Sequence, residues 1–579
     1  MSQTRVGIDP ITVEVVRHGL IAAAGEMMIN VKHAAYSPSI HEIQDVCVGL
    51  LDNRADILAC APGLPMFLAD IGEVVRDGFE VLGPDAFQPG DVYISNDPFT
   101  IGTHVNNIAT YSPVFVEGER VGFAVVRGHM VDMGGTVPGS RSSRLTEIFQ
   151  EGLRIRQLQL YAEGTPVAAI HRLIADNTRM PEAVLGDLRA QVAACRTGEH
   201  RMTAIVRKYG REAFDESCRM LLDHGERLAR RSVREIPDGV YRAEAFLDDD
   251  GVAVGRRVPI RVRVEVTGDG MTIDFSDFAD QTEGSINTGP AGAVAIARHA
   301  FKCLTTPNES PNEGHFRPLN VVAPPGKVIS ARPPAACGWW SRTTSTTIDC
   351  ILRAVSDAIP AAVPAAHFGD IPMCLINGYD LRGNRFVFFE PVPGGHGGRP
   401  TEDGVSATVC FHEGDTPDVP VEIQEAMLPV FVEESTLDQD SAGPGLHRGG
   451  LGYRRTFRLL SSEASMQLNV DRHYCPPWGL RGGAAARPNS AYIETPGGGR
   501  PELVLKRDGI RLEAGDRVIL CGGGGGGWGD PLERPPEAVL RDVIAGYVSR
   551  TAARADYGVE VDPERRTATR IRQPEGEVE

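Results

Sequence analysis

No stretch of this 579-residue chain reaches the roughly 18 consecutive apolar residues of a membrane span, so no membrane-embedded segment is expected. The opening residues, Met1-Ser2-Gln3-Thr4-Arg5, carry no apolar signal-peptide core. The eleven cysteines include no CxxC pair and scatter from Cys47 to Cys521, a distribution that suits neither a disulfide framework nor a zinc knuckle. A reducing, cytoplasmic setting follows as the expectation. Basic residues are in deficit, 59 against 77 acidic, and the formal charge of -18 argues against a nucleic-acid partner, because phosphate binding needs a basic surface. There is no HExxH helix motif. The glycine-rich segments 394–398, 443–452 and 522–527 lack both the Lys-Ser/Thr ending of a phosphate loop and the strand-GxGxxG-helix setting of a dinucleotide site. The chain is therefore not expected to bind ATP itself, and these glycines read as tight turns and close backbone approaches.

The length implies two to four domains. Asp9-Pro10 signals a helix start, with Ile11, Val15, Leu20, Ala23 and Met27 following at roughly helical spacing. Short strands are expected at Val46–Leu51 and Ile57–Cys60, then one helix over Met66–Leu82 and a strand running into Asn96-Asp97. Residues 166–233 read as two or three antiparallel helices, and alternating strands begin after Pro237-Asp238-Gly239. A helix is expected over Thr347–Ile359, and an amphipathic helix with Val539, Val543 and Tyr547 ahead of a polar, mobile terminus. The expected class is α+β and multidomain, with mixed sheets, a helical hairpin region and a β-rich second half. Boundaries are expected to give residues 1–236, 237–425 and 426–579.

The richest stretch runs from Asn96 to Gly135. Two polar loops, one with Asp97, His104 and Asn107 and the other with His129 and Asp132, flank the apolar segments Thr110–Val116 and Val121–Val126, which read as a β-hairpin. A hairpin returns the chain to its start, so His104 and His129 are expected to meet. Neutral imidazole is the commonest metal ligand, and Asp45, Asp97 and Asp132 are the available carboxylates. On spacing alone ordinary loop residues, with Asp97-Pro98 starting a turn, are expected ahead of a metal site, because no HExxH or Cys/His pattern supports one. Among Arg141, Arg144, Glu147, Glu151, Arg154 and Arg156 a solvated ion-pair face is expected ahead of a cleft network.

Asp9-Pro10-Ile11-Thr12-Val13-Glu14-Val15, Ser95-Asn96-Asp97-Pro98, Gly102-Thr103-His104, Gly128-His129 with Asp132-Met133-Gly134-Gly135, and Glu147-Ile148-Phe149-Gln150-Glu151-Gly152-Leu153 resemble the hydantoinase B/oxoprolinase family. So do Asn312-Glu313-Gly314, Pro476-Pro477-Trp478-Gly479-Leu480 and residues 522–531. The resemblance implies a division of labour. A hydantoinase A-type partner holds ATP and phosphorylates a ring carbonyl, and the B-type chain completes hydrolysis of the C–N bond of a small cyclic amide such as a hydantoin, oxoproline or a lactam, within a hetero-oligomer. A related polypeptide serves the acetone and acetophenone carboxylases, and a non-catalytic scaffold is a third reading. By the same resemblance His104 and His129 are metal ligands for a divalent ion such as zinc or manganese, with Asp45 a carboxylate ligand and Asp132 or Asp97 a candidate general base. Many members have aspartate three residues after the first histidine, where this chain has Asn107, an oxygen ligand without charge.

Overall fold

Asp9 caps the first helix, Pro10–Ala34: its carboxylate accepts the Ile11 N–H at 3.1 Å, and the proline that follows supplies no donor to satisfy. Val16, Leu20, Ala23, Met27 and Val31 are buried along one stripe of this helix. The computed structural model describes residues 8–571 other than 415 and 462.

The stripe packs on a seven-stranded sheet built from β1 (Val46–Leu51), β2 (Ile57–Cys60), β3 (Val92–Ser95), β4 (Asn107–Val116), β5 (Glu119–His129), β6 (Leu158–Ala162) and β7 (Thr165–Pro166), in the order β2-β1-β5-β4-β3-β6-β7. Alternation decides which residue faces which layer. In β1, Val46, Val48 and Leu50 join the core beneath the first helix, with Ala194, Met202 and Phe214 from the helical region. Cys47 and Leu51 face the opposite core with Phe67, Tyr111 and Phe123. The helical region is three helices, Ala168–Asp176, Pro181–Tyr209 and Arg211–Val233, and the last two are separated at Gly210, whose φ of +84° suits glycine.

The helix expected over Met66–Leu82 is two, Pro65–Ala69 and Glu73–Leu82. The interruption has a local cause: the Asp70 carboxylate is drawn 2.6 Å from the Arg127 guanidinium on β5, and the chain at Gly72 passes so near Ala55 that a Cβ there would lie 2.5 Å from its carbonyl oxygen.

Beyond residue 238 a four-stranded sheet (Gly239–Leu247, Val258–Thr267, Gly270–Asp274, Leu319–Val322) is covered by the helices Pro290–Thr305 and Ser341–Val355. The second of these begins before the expected Thr347. Ser341 to Thr347 is a run that disfavours an exposed helix because its hydroxyls compete for backbone groups. Here the run is buried, and Thr344 and Thr347 return their hydroxyls to the carbonyls four residues earlier, at 3.2 and 2.6 Å. Two further antiparallel sheets complete the second half, one containing Met373–Tyr379 and Arg385–Pro391, the other Tyr453–Leu459 and Arg517–Gly522. With separate sheets and interspersed helices the chain is an α+β protein, as expected.

The three glycine-rich segments lie against one another. Gly395 N–H donates to Gly523 O at 2.9 Å, Gly398 to Gly526 at 2.8 Å, Gly443 to Gly525 at 2.8 Å, and Gly525 to Gly450 at 3.0 Å. A Cβ on Gly525 would stand 1.9 Å from the His396 carbonyl oxygen, so side chains are excluded by backbone proximity itself. At the C-terminal end the expected single helix is two, Pro536–Ile544 and Arg550–Tyr557, and residues expected to be mobile form a hairpin of Val559–Asp562 with Thr567–Arg570. The expected mobile terminus beyond it, residues 572–579, lies outside the described residues.

Candidate functional site

Strand register delivers the site. The β4–β5 hairpin places Asn107 directly opposite His129, and β1 pairs with β5 so that Val46 faces Gly128, leaving Asp45 at the same end of the sheet. The backbone of His129 donates to the Asp45 carbonyl at 3.0 Å. His129 Nδ1 lies 3.0 Å from Asn107 Oδ1 and 3.8 Å from Asp45 Oδ2. His104 comes from the turn that precedes β4, and its ring stacks on that of His129 with centroids 5.1 Å apart.

That turn is held from beneath. Gly102 and Thr103 have φ of +64° and +70°, a conformation unfavourable for threonine. The Arg127 guanidinium donates to the Thr103 hydroxyl at 2.5 Å and to the Gly102 carbonyl at 3.0 Å, while Asp70 balances its charge. Both charged groups are buried. Loss of either would leave an uncompensated charge in the core and release the loop that presents His104.

The histidines are buried, and burial together with the nearby Arg141 guanidinium holds both rings well below their ordinary pKa, so each is neutral. Arg141 Nη2 is 2.9 Å from His104 Nε2, its Nη1 meets Met373 Sδ at 3.1 Å, and its guanidinium lies over the Trp339 ring. Its loop is pinned by the second half of the chain: Ser142 Oγ donates to Asp508 at 2.7 Å, and Asn469 donates to Ser143 Oγ at 2.9 Å. Burial lowers the Arg141 pKa to about 10, against the opposing fields of Asp45, Glu413 and Glu151. Burial, with Glu413 adding to it, pushes the Asp45 carboxyl well up. A cavity of about 20 Å³ opens beside Asp45 and Arg141, walled also by Met373, Phe389, Glu413 and Asp418.

Of the candidates read from sequence, Asp45, His104, Asn107 and His129 are brought together. Asp97 and Asp132 are engaged elsewhere. Asp97 caps the short helix Pro98–Ile101 by accepting the Phe99 N–H at 3.1 Å. Asp132 accepts from Gly139 N at 2.9 Å, Arg179 N at 2.7 Å and Arg179 Nη1 at 3.1 Å, ordering the loop after β5. The expected solvated ion-pair face is divided. Arg144 and Arg154 keep to the outside, but Arg141 is buried against the histidines, and Glu151 is buried as acceptor of the Cys337 and Gly338 amides at 2.5 and 2.7 Å. A charged residue in a loop gives no periodic sign of its burial, so only the tertiary structure separates these arginines.

Sequence reasoning missed an adjoining cluster. Trp340 stands between His104 and His412, with ring centroids 6.4 and 5.3 Å away respectively. His412 Nε2 is 3.0 Å from Glu413, and its Nδ1 lies 2.5 Å from Ser345 Oγ and 2.9 Å from Cys410 Sγ. The compact Cys410-Phe411-His412-Glu413 was the available signal.

Among the described residues no three His, Cys, Asp or Glu side chains are already arranged for a metal. The reason is visible: the oxygen nearest His129 belongs to a carboxamide, and His104 faces a guanidinium. The donor chemistry nevertheless fits a divalent ion. Two neutral imidazoles, the Asn107 oxygen and the Asp45 carboxylate converge, and Asp45 Oδ1 is buried without a hydrogen-bond partner.

A sheet-end histidine pair with carboxylate and carboxamide oxygens, closed over by a second α+β half, belongs to a fold shared with solved ATP-linked enzymes. The chain superposes on the ATP-dependent caprolactamase of Pseudomonas jessenii with a TM-score of 0.91 at 28% identity, covering 96% of this chain and 97% of that one. It shares its fold with an acetone carboxylase, with a TM-score of 0.87 at 20% identity over 96% of this chain and 80% of the other. The B-type component of a putative D-/L-hydantoinase from a Pseudomonas species is 30% identical over 96% of this chain and 95% of that protein. Residues 9–531 match the Hydantoinase B/oxoprolinase family, and the chain belongs to it.

Proposed function

We propose that this chain is the hydrolytic subunit of an ATP-dependent cyclic amidohydrolase, acting on a ring carbonyl that a hydantoinase A-type partner has phosphorylated. The observation that carries the reading is the convergence of Asp45, Asn107, His129 and His104 at one buried sheet end, beside a guanidinium and a cavity. A cyclic-amide substrate and a hetero-oligomer are supported by two relatives, one a component of a multi-subunit hydantoinase and the other an ATP-dependent caprolactamase.

Asp45, His104, Asn107 and His129 would hold a divalent zinc or manganese ion, which when bound supplies Lewis acidity to the site. The chain's own residues divide the remaining work. Water attack on the activated carbon sends the C=N electron pair to the ring nitrogen, which takes a proton and departs as the C–N bond breaks; Arg141 directs its charge at the phosphorylated oxygen, which leaves as phosphate when a second water hydrolyses the resulting acyl phosphate. Glu413, on the wall of the same cavity and braced by His412, is placed to take the proton of the attacking water, in preference to Asp97 and Asp132, whose oxygens accept backbone amides. Trp339, Trp340 and Phe389 shield the centre from bulk water.

The test is elemental analysis of the purified chain beside a His104→Ala, His129→Ala variant. Near-stoichiometric metal in the parent, lost in the variant together with turnover by the reconstituted complex, is expected. A variant with normal activity would remove the proposal.

A further inference from the structure

A metal ligand must offer a lone pair, and a neutral imidazole has one. At His104 that lone pair is already engaged. Arg141 Nη2 stands 2.9 Å from His104 Nε2, and Arg141 Nε stands 3.4 Å from His104 Nδ1. A guanidinium carries donors only and keeps its proton, so whichever ring nitrogen bears the hydrogen, Arg141 lies against the other.

The two buried guanidiniums of the centre are held very differently. Arg127 is fixed by an ion pair with Asp70 at 2.6 Å and by the loop oxygens of Gly102 and Thr103. Arg141 touches neutral groups: the His104 ring, Met373 Sδ at 3.1 Å and the face of Trp339. Among the described residues no carboxylate forms an ion pair with it, and such contacts hold a charge less firmly than a carboxylate does. The loop that bears it is anchored through Ser142 and Ser143, so the side chain can leave His104 without moving the backbone. Charge gives it cause to leave. Asn107 brings an oxygen without charge, so Asp45 is the one carboxylate of the ligand set, and a divalent ion beside a guanidinium would put three positive charges against it.

We infer that Arg141 is a latch on the metal centre: its guanidinium and the divalent ion compete for the lone pair of His104, and loading the ion releases Arg141 for the phosphorylated oxygen of the substrate. The competition rests on His104 as a metal ligand, and the task of the released group on the amidohydrolase reading. The latch imposes an order. A chain without its ion holds Arg141 on His104 and away from the substrate, so an activated ring is engaged only by a loaded centre.

Chelator competition on the full chain, with zinc and with manganese, tests this without turnover. Arg141→Met is expected to bind either ion about ten-fold or more tightly than wild type, and Arg141→Lys, which keeps a charge but loses the planar fork, to lie between them. Thermal melts establish that the variants are folded. The guanidinium lies over Trp339 at 5.4 Å, so its departure has its own signal, the part of the tryptophan fluorescence response to zinc that Trp339→Phe removes. That part is expected in wild type and absent with Arg141→Met. Affinity in Arg141→Met equal to or below that of wild type overturns the latch and leaves the metal centre standing; metal bound by neither chain overturns both. A Trp339 response that survives in Arg141→Met also overturns it. Should Arg141→Met fail to fold, Arg141→Lys decides, and affinity no higher than wild type counts against the latch. Ring opening by the reconstituted complex is measured separately. Its failure alongside tighter metal binding in Arg141→Met would sink the amidohydrolase reading and spare the competition at His104.

Discussion

Asn107→Asp places a charge beside His129 at the candidate metal centre. Asn107 Oδ1 already lies 3.0 Å from His129 Nδ1, so the new carboxylate needs no backbone movement to reach a cation held by that ring. A carboxylate and a divalent ion about 4 Å apart attract by about 8 kcal/mol at an effective dielectric constant near 20. Against this stands the cost of burying a further carboxylate, several kcal/mol before pairing, beside an Asp45 that already carries an unpartnered oxygen. A net gain of about 1.4–2.8 kcal/mol, ten- to hundred-fold in affinity for zinc or manganese, is the expected balance. Without metal the sign reverses, because two acidic groups then share a buried site, and the variant should melt below wild type. Chelator competition gives the affinity, and melting curves with and without added metal give the stability. Equal or weaker metal affinity in the variant, with melting indifferent to metal, would refute the reasoning.

Gly525→Ala should be among the most damaging single methyl additions, because its Cβ would lie 1.9 Å from the His396 carbonyl oxygen and force apart glycine segments joined by backbone hydrogen bonds. Strain of about 1–3 kcal/mol, plus roughly 1 kcal/mol for each bond lost, is expected in the denaturant midpoint. Gly25→Ala, in the first helix with nothing within 4 Å of the added carbon, should instead stabilise by about 0.5–1 kcal/mol; similar effects for the two variants would contradict the packing described. Burial raises the Glu151 pKa from 4.5 to about 8, so the folded state binds more protons than the unfolded state between those values. The stabilisation this represents is complete below about 4.5 and is lost as pH rises through about 8. Glu151→Gln keeps an oxygen for the Cys337 and Gly338 amides and should flatten the fall in melting temperature between about pH 5 and 8.5; an unchanged slope would assign that fall to other groups.

The central hairpin and the meeting of its two histidines were legible because alternation marks strands and a hairpin must return to its origin. Asp45 was legible for a related reason, since it borders a strand whose boundaries, Val46–Leu51, matched the apolar run. What lay hidden depends on contacts distant in sequence. Arg141 becomes part of the centre through anchors at Asn469 and Asp508, more than three hundred residues away. The Ser341–Thr347 run is polar in composition and buried in fact, and the pairing of His412 with Ser345 follows from that burial. Asp132 bears the opposite lesson. Its proximity to His129 in sequence suggested chemistry, whereas Arg179 and the loop amides occupy both its oxygens.

The most direct test of the proposed chemistry supplies the chain, its ATP-binding partner, ATP and labelled bicarbonate with a cyclic amide, and identifies the product by mass. ATP-dependent release of the unlabelled open-chain amino acid is expected, abolished by His104→Ala with His129→Ala in an assembled complex. A carboxylated product containing the label, or ring opening that persists in the double variant, would contradict it.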